Sequence, residues 1–294
     1  MLLVTPLVQE LKKDFPQAKI DVFAKGKLVD VVFENYDNYG TSIKLSRKPA
    51  KELLEYLKSW TKILAGKYDL VINVDAASKS GKLATKYTKS KHKIFGVDEL
   101  AKISQYSDYR HLAKYPVYAY WSHFNIPVRE ISPIRLKFSA EERVKGQQIY
   151  ASLQGSQKPL ICLFTYATNQ KIYDSSWWDP FYEALAERFS SEYEIIEVLP
   201  VENISQFDHK IKHYYSKDVR EIASVLENAA LFIGADSGMM HLAVSSGVPT
   251  IGLFKITKPE KYEPYGGNSG FIDTTKTSLP EMIRQIESVL SSKK

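Results

Sequence analysis

Between Leu231 and Phe254 two short apolar runs, LFI and TIGLF, bracket a small-residue turn and a stretch of helical length. Runs of that kind suit strands buried on both faces, and joining two of them through a helix makes them lie parallel in one sheet. The turn itself, Asp236, Ser237 and Gly238, opens a helix expected over Gly238–Ser246. Its free backbone N–H groups and the positive end of its dipole then sit at the carboxyl edge of the sheet, where phosphates bind. One turn further along, His241 is placed to donate to a phosphate or a sugar hydroxyl. On spacing alone, an equally good reading makes Asp236 a helix cap and His241 an ordinary core residue.

The rest of the chain repeats the alternation of strand and helix that marks α/β architecture. In the first half, helical spacing over Leu7–Phe15 stops at Pro16, and strands are expected at Lys19–Phe23 and Ser42–Leu45. Asp30–Phe33 reads as a short strand or a turn of helix, and Lys51–Leu64 as a strong helix. DLVINVD, Asp69–Asp75, reads as a strand buried on both faces. After a thinner, Pro-, Ser- and Gln-containing stretch around a short helix at Ala140–Leu153, the series resumes with strands at Leu160–Thr165, Tyr193–Leu199 and the two runs above. Helices are expected at Trp177–Phe189, Val219–Asn228 and Leu279–Leu290. This divides the chain into two α/β domains, 1–150 and 151–294.

The apolar share of 44% and charged share of 25% fit a globular chain and exclude a disordered or collagenous one. No apolar run reaches the ~20 residues of a spanning helix, and the N-terminus lacks the basic stretch of a signal peptide, so a cytoplasmic chain is expected. The single cysteine, Cys162, excludes an internal disulfide and a multi-cysteine metal site. The net charge of +6 is uneven: residues 1–150 carry 26 Lys and Arg against 16 Asp and Glu, and the remainder 14 against 18. Only five of the 26 cations are arginines, the residue whose fork reads guanine edges, so diffuse negative charge is a better partner than nucleic acid. P-loop, G-x-G-x-x-G, H-E-x-x-H and Asp-x-Asp patterns are all missing from the sequence, and His209 with His213 lacks a third ligand, so neither metal nor cofactor is expected.

The ordered run Asp236, Ser237, Gly238, His241, Leu242, Ala243, Gly247, Val248, Pro249, then Thr257, Pro259, Tyr262, Pro264 and Gly266, resembles the heptosyltransferase family, glycosyltransferase family 9. The resemblance implies a GT-B fold: two Rossmann-like domains facing across a cleft, the C-terminal one holding the nucleotide sugar and the N-terminal one the acceptor. It implies transfer of heptose from ADP-heptose to the inner core of lipopolysaccharide or lipooligosaccharide, inverting and metal-independent. The segment LFTYATNQKIYDSSWW resembles the family's phosphate-binding stretch, which assigns Lys171 to the diphosphate and Thr165 and Thr168 as hydroxyl donors. Glu202, after the strand ending at Leu199, sits where a carboxylate could meet the donor ribose.

At the other end, Leu2–Leu7 matches the family segment that follows a Gly-Asp pair, and that aspartate, the general base, would fall just before Met1. The first strand of the N-terminal sheet is expected to be missing with it. Lys79, Lys82, Lys86, Lys89 and Lys93 recur at three- and four-residue steps, so a helix there would put them on one face. Lys79, Lys82 and Lys86 become the candidate contacts to an anionic, membrane-embedded acceptor, with the enzyme peripheral at the inner face of the inner membrane. Two other readings stand beside transfer: a degenerate member that binds a nucleotide sugar or glycolipid without turnover, and another GT-B enzyme, such as an epimerase, using a different sugar nucleotide.

Overall fold

The computed structural model describes residues 1–26, 28–96 and 103–292. They form two compact units, Leu3–Ser132 and Pro133–Lys294. The chain opens with a 3-10 turn at Leu2–Val4 and then runs through α1 (Thr5–Asp14), β1 (Ile20–Lys25), α2 (Leu28–Phe33), β2 (Tyr39–Leu45), α3 (Leu53–Ala65), β3 (Lys67–Ile72), α4 (Lys79–Tyr87), β4 (Lys89–Ile94) and α5 (Tyr115–Phe124). Asp30–Phe33 is thus helical, because Val29, Val32 and Phe33 all turn inward at helical spacing.

β1 pairs with β2 and β3 with β4, both parallel. Among the described residues these remain two separate two-stranded sheets, linked where Tyr68 donates to Asp21 at 3.2 Å. The Asp69–Asp75 run departs from expectation here. β3 is only half-buried, since it has a partner on one edge alone. The lysine run departs too: α4 ends at Tyr87, and Lys89 and Lys93 lie on β4. Thr88 ends the helix with extended backbone, so Lys79, Lys82 and Lys86 alone share its exposed side.

The core of this unit gathers Leu7, Ile94, Ile103, Val117, Tyr120 and Trp121. A buried carboxylate ties its last segment to α1. Glu10 accepts from Ser132 Oγ at 2.6 Å and from Ser132 N at 3.1 Å, and pairs with Arg129, which also grips Asp14. Burial alone would raise the Glu10 carboxyl, but hydrogen bonds from Lys13, Ser132 and Arg129 outweigh it and hold the group below its ordinary value.

The second unit runs α6 (Ala140–Leu153), β5 (Leu160–Phe164), a 3-10 turn at Asn169–Lys171, α7 (Ser175–Phe189), β6 (Glu194–Val198), β7 (His213–Tyr214), α8 (Val219–Leu226), β8 (Leu231–Ala235), α9 (Gly238–Ser246), β9 (Thr250–Phe254), α10 (Pro259–Tyr262), β10 (Gly270–Asp273) and α11 (Leu279–Ser291). α6 starts at a capping box between Ser139 and Glu142 and packs along α8, with Gly146 against the Ser224 backbone. The division between units therefore falls ahead of this helix, at Ser132 and Pro133, and not at 150 and 151.

Six parallel strands form one sheet in the order β10-β9-β8-β5-β6-β7. β5 alternates its side chains between two apolar clusters: Leu160, Cys162 and Phe164 with Tyr150, Ile222, Leu226 and Met240; Ile161 and Leu163 with Trp178, Phe181, Leu185, Ile286 and Leu290. Helices thus cover both faces, the requirement of a parallel sheet. Burial pushes the Cys162 thiol up to about 12, which leaves it an inert apolar filler.

Candidate anion-binding site at the switch of the sheet

In the order above, β5 lies between β8 and β6, so the chain winds one way from β5 to β6 and the other way from β8 to β10. Ligands of open α/β sheets collect at such a switch, outside the carboxyl ends of the strands. Thr165 leaves β5 and Asp236 leaves β8 at that point.

Asp236 is buried, and its backbone N–H donates to Leu253 O. It does not cap the helix. Ser237 does, accepting from Met240 N at 3.4 Å, while Asp236 Oδ2 accepts from Thr257 Oγ1 at 2.6 Å and meets Lys171 Nζ at 3.4 Å. One carboxylate thus orients a cation and a hydroxyl from two other loops. Lys171 closes the 3-10 turn after β5 and keeps part of its side chain in solvent. Ahead of α9, a Cβ placed on Gly238 would meet nothing within 4 Å, so the space before the helix N-terminus is open. His241 lies one turn along α9, half-buried.

An open pocket lined by Thr168, Asn169, Gln170, Lys171 and Ile256 adjoins this cluster. Thr168 is exposed there. Thr165 is not: it is fully buried, and its hydroxyl donates to Glu197 at 2.5 Å, so it supports the site from beneath and offers nothing to a diphosphate. Glu202 is exposed on the turn after β6. The carboxylate that the fold builds in is Glu197, inside β6, which also accepts from Ser205 Oγ and Gln206 N and so anchors the loop that carries Glu202.

Three further residues escape a reading of the sequence. Glu197 left one signal, a carboxylate inside an apolar strand, which has to be partnered when buried. Thr257 stood in the ordered run but had no assigned contact. Lys255 donates to Ile172 O at 2.5 Å and lies 4.5 Å from the centre of the Tyr173 ring, pinning the Lys171 turn to the end of β9. Burial raises the Tyr173 hydroxyl to about 12, so it stays neutral, hydrogen-bonded with Thr274 at 2.9 Å. Among the described residues no group of three His, Cys, Asp or Glu could hold a metal.

The remaining positions of the ordered run shape the backbone. Gly247 ends α9 with φ +100°, and Gly266 takes φ +86° in the loop after α10. Outside that run, Gly252 of β9 has no room for a Cβ, since Met240 Sδ would lie 2.5 Å from it.

A doubly wound sheet whose switch point carries an open helix end, a cation and a hydroxyl defines a Rossmann-like unit suited to bind an anionic ester. Residues 217–288 match the family model of glycosyltransferase family 9 (heptosyltransferase). Lipopolysaccharide heptosyltransferase 3 of Escherichia coli is 24% identical over 306 aligned positions, covering 91% of this chain and 84% of that protein. The solved glycosyl transferase family 9 protein of Veillonella parvula DSM 2008 superposes with a TM-score of 0.77 at 18% identity, covering 99% of this chain and 93% of that one. The E. coli heptosyltransferase WaaC with ADP superposes at 0.72 and 15% identity, over 98% and 95% of the two chains. Over nearly its whole length the chain shares the GT-B fold of these solved proteins, and the family 9 match lies within its second unit.

Proposed function

We propose that the chain transfers heptose from ADP-heptose to the inner core of lipopolysaccharide or lipooligosaccharide, by direct inverting displacement and without a metal. The observation that carries this reading is the pairing of Lys171 with Asp236 at 3.4 Å beside the open N-terminus of α9. As the anomeric bond breaks, negative charge grows on the departing diphosphate. The amides of Gly238 and Met239, the Lys171 ammonium and the His241 ring meet that charge, with Ser237 capping the helix and Thr168 at the rim. Asp236 keeps Lys171 and Thr257 aimed, so its own charge is neutralised by what it orients. A fixed cation and fixed N–H dipoles need no reorganisation when charge develops, which is the service a metal gives elsewhere.

The first unit would receive the acceptor, with Lys79, Lys82 and Lys86 drawing its phosphates and acidic sugars. The acceptor is membrane-borne, so the enzyme works in the cytoplasm, peripheral at the inner face of the inner membrane. Among the described residues no helix is long and apolar enough to cross a bilayer. The names of the E. coli relatives support the choice of sugar.

The test is incubation with ADP-heptose and a heptose-deficient core acceptor, read by mass spectrometry. The expected result is an acceptor heavier by one heptose with stoichiometric ADP. ADP binding without any ADP-heptose consumption would overturn the proposed donor.

A further inference from the structure

α3 is the most apolar exposed element of the first unit. Ile63 turns inward and Trp60 packs edge-on against Phe23 of β1, yet Leu53, Leu54, Leu57 and Leu64 stay on the surface, with Leu54 74% exposed. At 100° per residue these four leucines occupy one side of the helix, and Lys58 and Lys62 border it. α4 packs beside α3 and presents Leu83 and Tyr87, one turn apart and both about half exposed, next to Lys79, Lys82 and Lys86. Among the described residues no ion pair engages those three lysines, and Lys86 lies 5.3 Å from the centre of the Tyr87 ring. Over residues 47–93 the sequence carries 12 Lys and Arg against 4 Asp and Glu.

We propose that the α3–α4 face is a docking surface for an anionic lipid bilayer. The cores of protein–protein interfaces are depleted of lysine, whereas a helix lying in a bilayer boundary sets leucines and tyrosines into the acyl edge and surrounds them with lysines at headgroup level. Lysine suits that place because its long apolar stem lies along the leucines while the ammonium stays among the phosphates. The charge of this face complements anionic headgroups and lacks the arginine forks that a specific phosphopeptide would need. The inference rests on the reading of a membrane-borne acceptor, for which it supplies the surface: docking here would concentrate the enzyme where its acceptor lies.

The test is flotation with vesicles of phosphatidylglycerol mixed with phosphatidylcholine, and of phosphatidylcholine alone. Two variants accompany the wild type: Leu54→Ser with Leu57→Ser, and Lys79→Glu with Lys82→Glu and Lys86→Glu. Amide exchange of β1–β4, measured in parallel, reports that the first unit of each variant is folded, and ADP affinity reports that the nucleotide site in the other unit is undisturbed. The expected result is binding to the anionic vesicles alone, weakened about tenfold or more in each variant. Equal binding to both vesicle types, leucine substitutions without effect, or no vesicle binding by the wild type would each overturn it. So would sedimentation velocity showing a dimer that the leucine substitutions dissociate, since the face would then belong to a second copy. Transfer to a delipidated acceptor separates the two readings: transfer without vesicle binding leaves the activity standing and removes this surface, and the reverse outcome removes the activity alone.

Discussion

Two buried carboxylates organise the site, and their partners differ in kind. Asp236 holds a cation and a hydroxyl that face the open helix end, whereas Glu197 is satisfied by Thr165, Ser205 and a backbone amide below it. Substitution should separate the two. Lys171→Ala removes a charge that is part-exposed and only loosely paired, so the unfolding midpoint should hold. ADP affinity should fall about 10- to 100-fold, the worth of one hydrogen bond to a charged group; unchanged calorimetric affinity would exclude Lys171 from the diphosphate. Thr165→Val keeps the shape and takes one donor from a buried carboxylate, so stability should drop by about 1–3 kcal/mol in denaturant unfolding. A variant as stable as the wild type would mean that Glu197 does not depend on that hydroxyl. In the sequence, Asp236 and Lys171 were legible because they stand in an ordered run, but their mutual contact was not. It joins residues 65 positions apart, and only the parallel pairing of β5 with β8 brings their loops together.

At the scale of elements, glycines distinguish packing from function. Gly146 in α6 and Gly238 at the start of α9 both sit in helices, yet a Cβ on the first would lie 2.6 Å from the Ser224 backbone, and on the second would meet nothing within 4 Å. Gly146→Ala should therefore force α6 away from α8 and cost about 1–3 kcal/mol, the range of overpacking in a well-packed core. Gly238→Ala should leave the unfolding midpoint where it is or raise it slightly, alanine being the better helix former. The methyl group would stand where an anion approaches the helix amides, so ADP binding should weaken. If Gly238→Ala binds ADP as tightly as the wild type, the diphosphate lies elsewhere. The central strands β5, β6, β8 and β9 of the second unit and its longer helices were readable, since each of those strands is an apolar run covered on both faces, whereas the two-residue β7, the one-turn α10 and the part-exposed edge strand β10 were too short or too mixed in polarity to leave a period. β3 misled because its apolar run matches a central strand while the fold leaves one of its edges without a partner. α4 ended earlier than the lysine spacing implied, because periodicity in charge marks a face and carries no stop signal, whereas the extended Thr88 does.

The whole molecule contains two units held together by different means, and acid should tell them apart. The second unit rests on two apolar clusters astride a six-stranded sheet. Among its carboxylates held below their ordinary values, Glu194, Glu221 and Asp273 pair with lysines at the surface, where solvent screens the gain, and the exposed Asp174 caps α7. The first unit has two small sheets, and it depends on Glu10, whose side chain is fully buried, to tie α1 to Arg129 and Ser132. The folded Glu10 carboxyl titrates below its unfolded value, so its contribution is complete above about pH 4.3 and is lost as pH falls through the lower, folded value. Below that range a protonated Glu10 leaves Arg129 with Asp14 as its remaining anionic partner. Amide exchange followed from neutral pH downward should therefore open α1 and the Arg129–Ser132 segment before the strands β5, β8 and β9. Glu10→Gln should reproduce this loosening at neutral pH, costing about 1–3 kcal/mol in the first unit, and should flatten that unit's dependence on pH. Simultaneous opening of both units in acid, or a Glu10→Gln variant with the slope of the wild type, would show that the second unit's surface carboxylates govern acid stability instead.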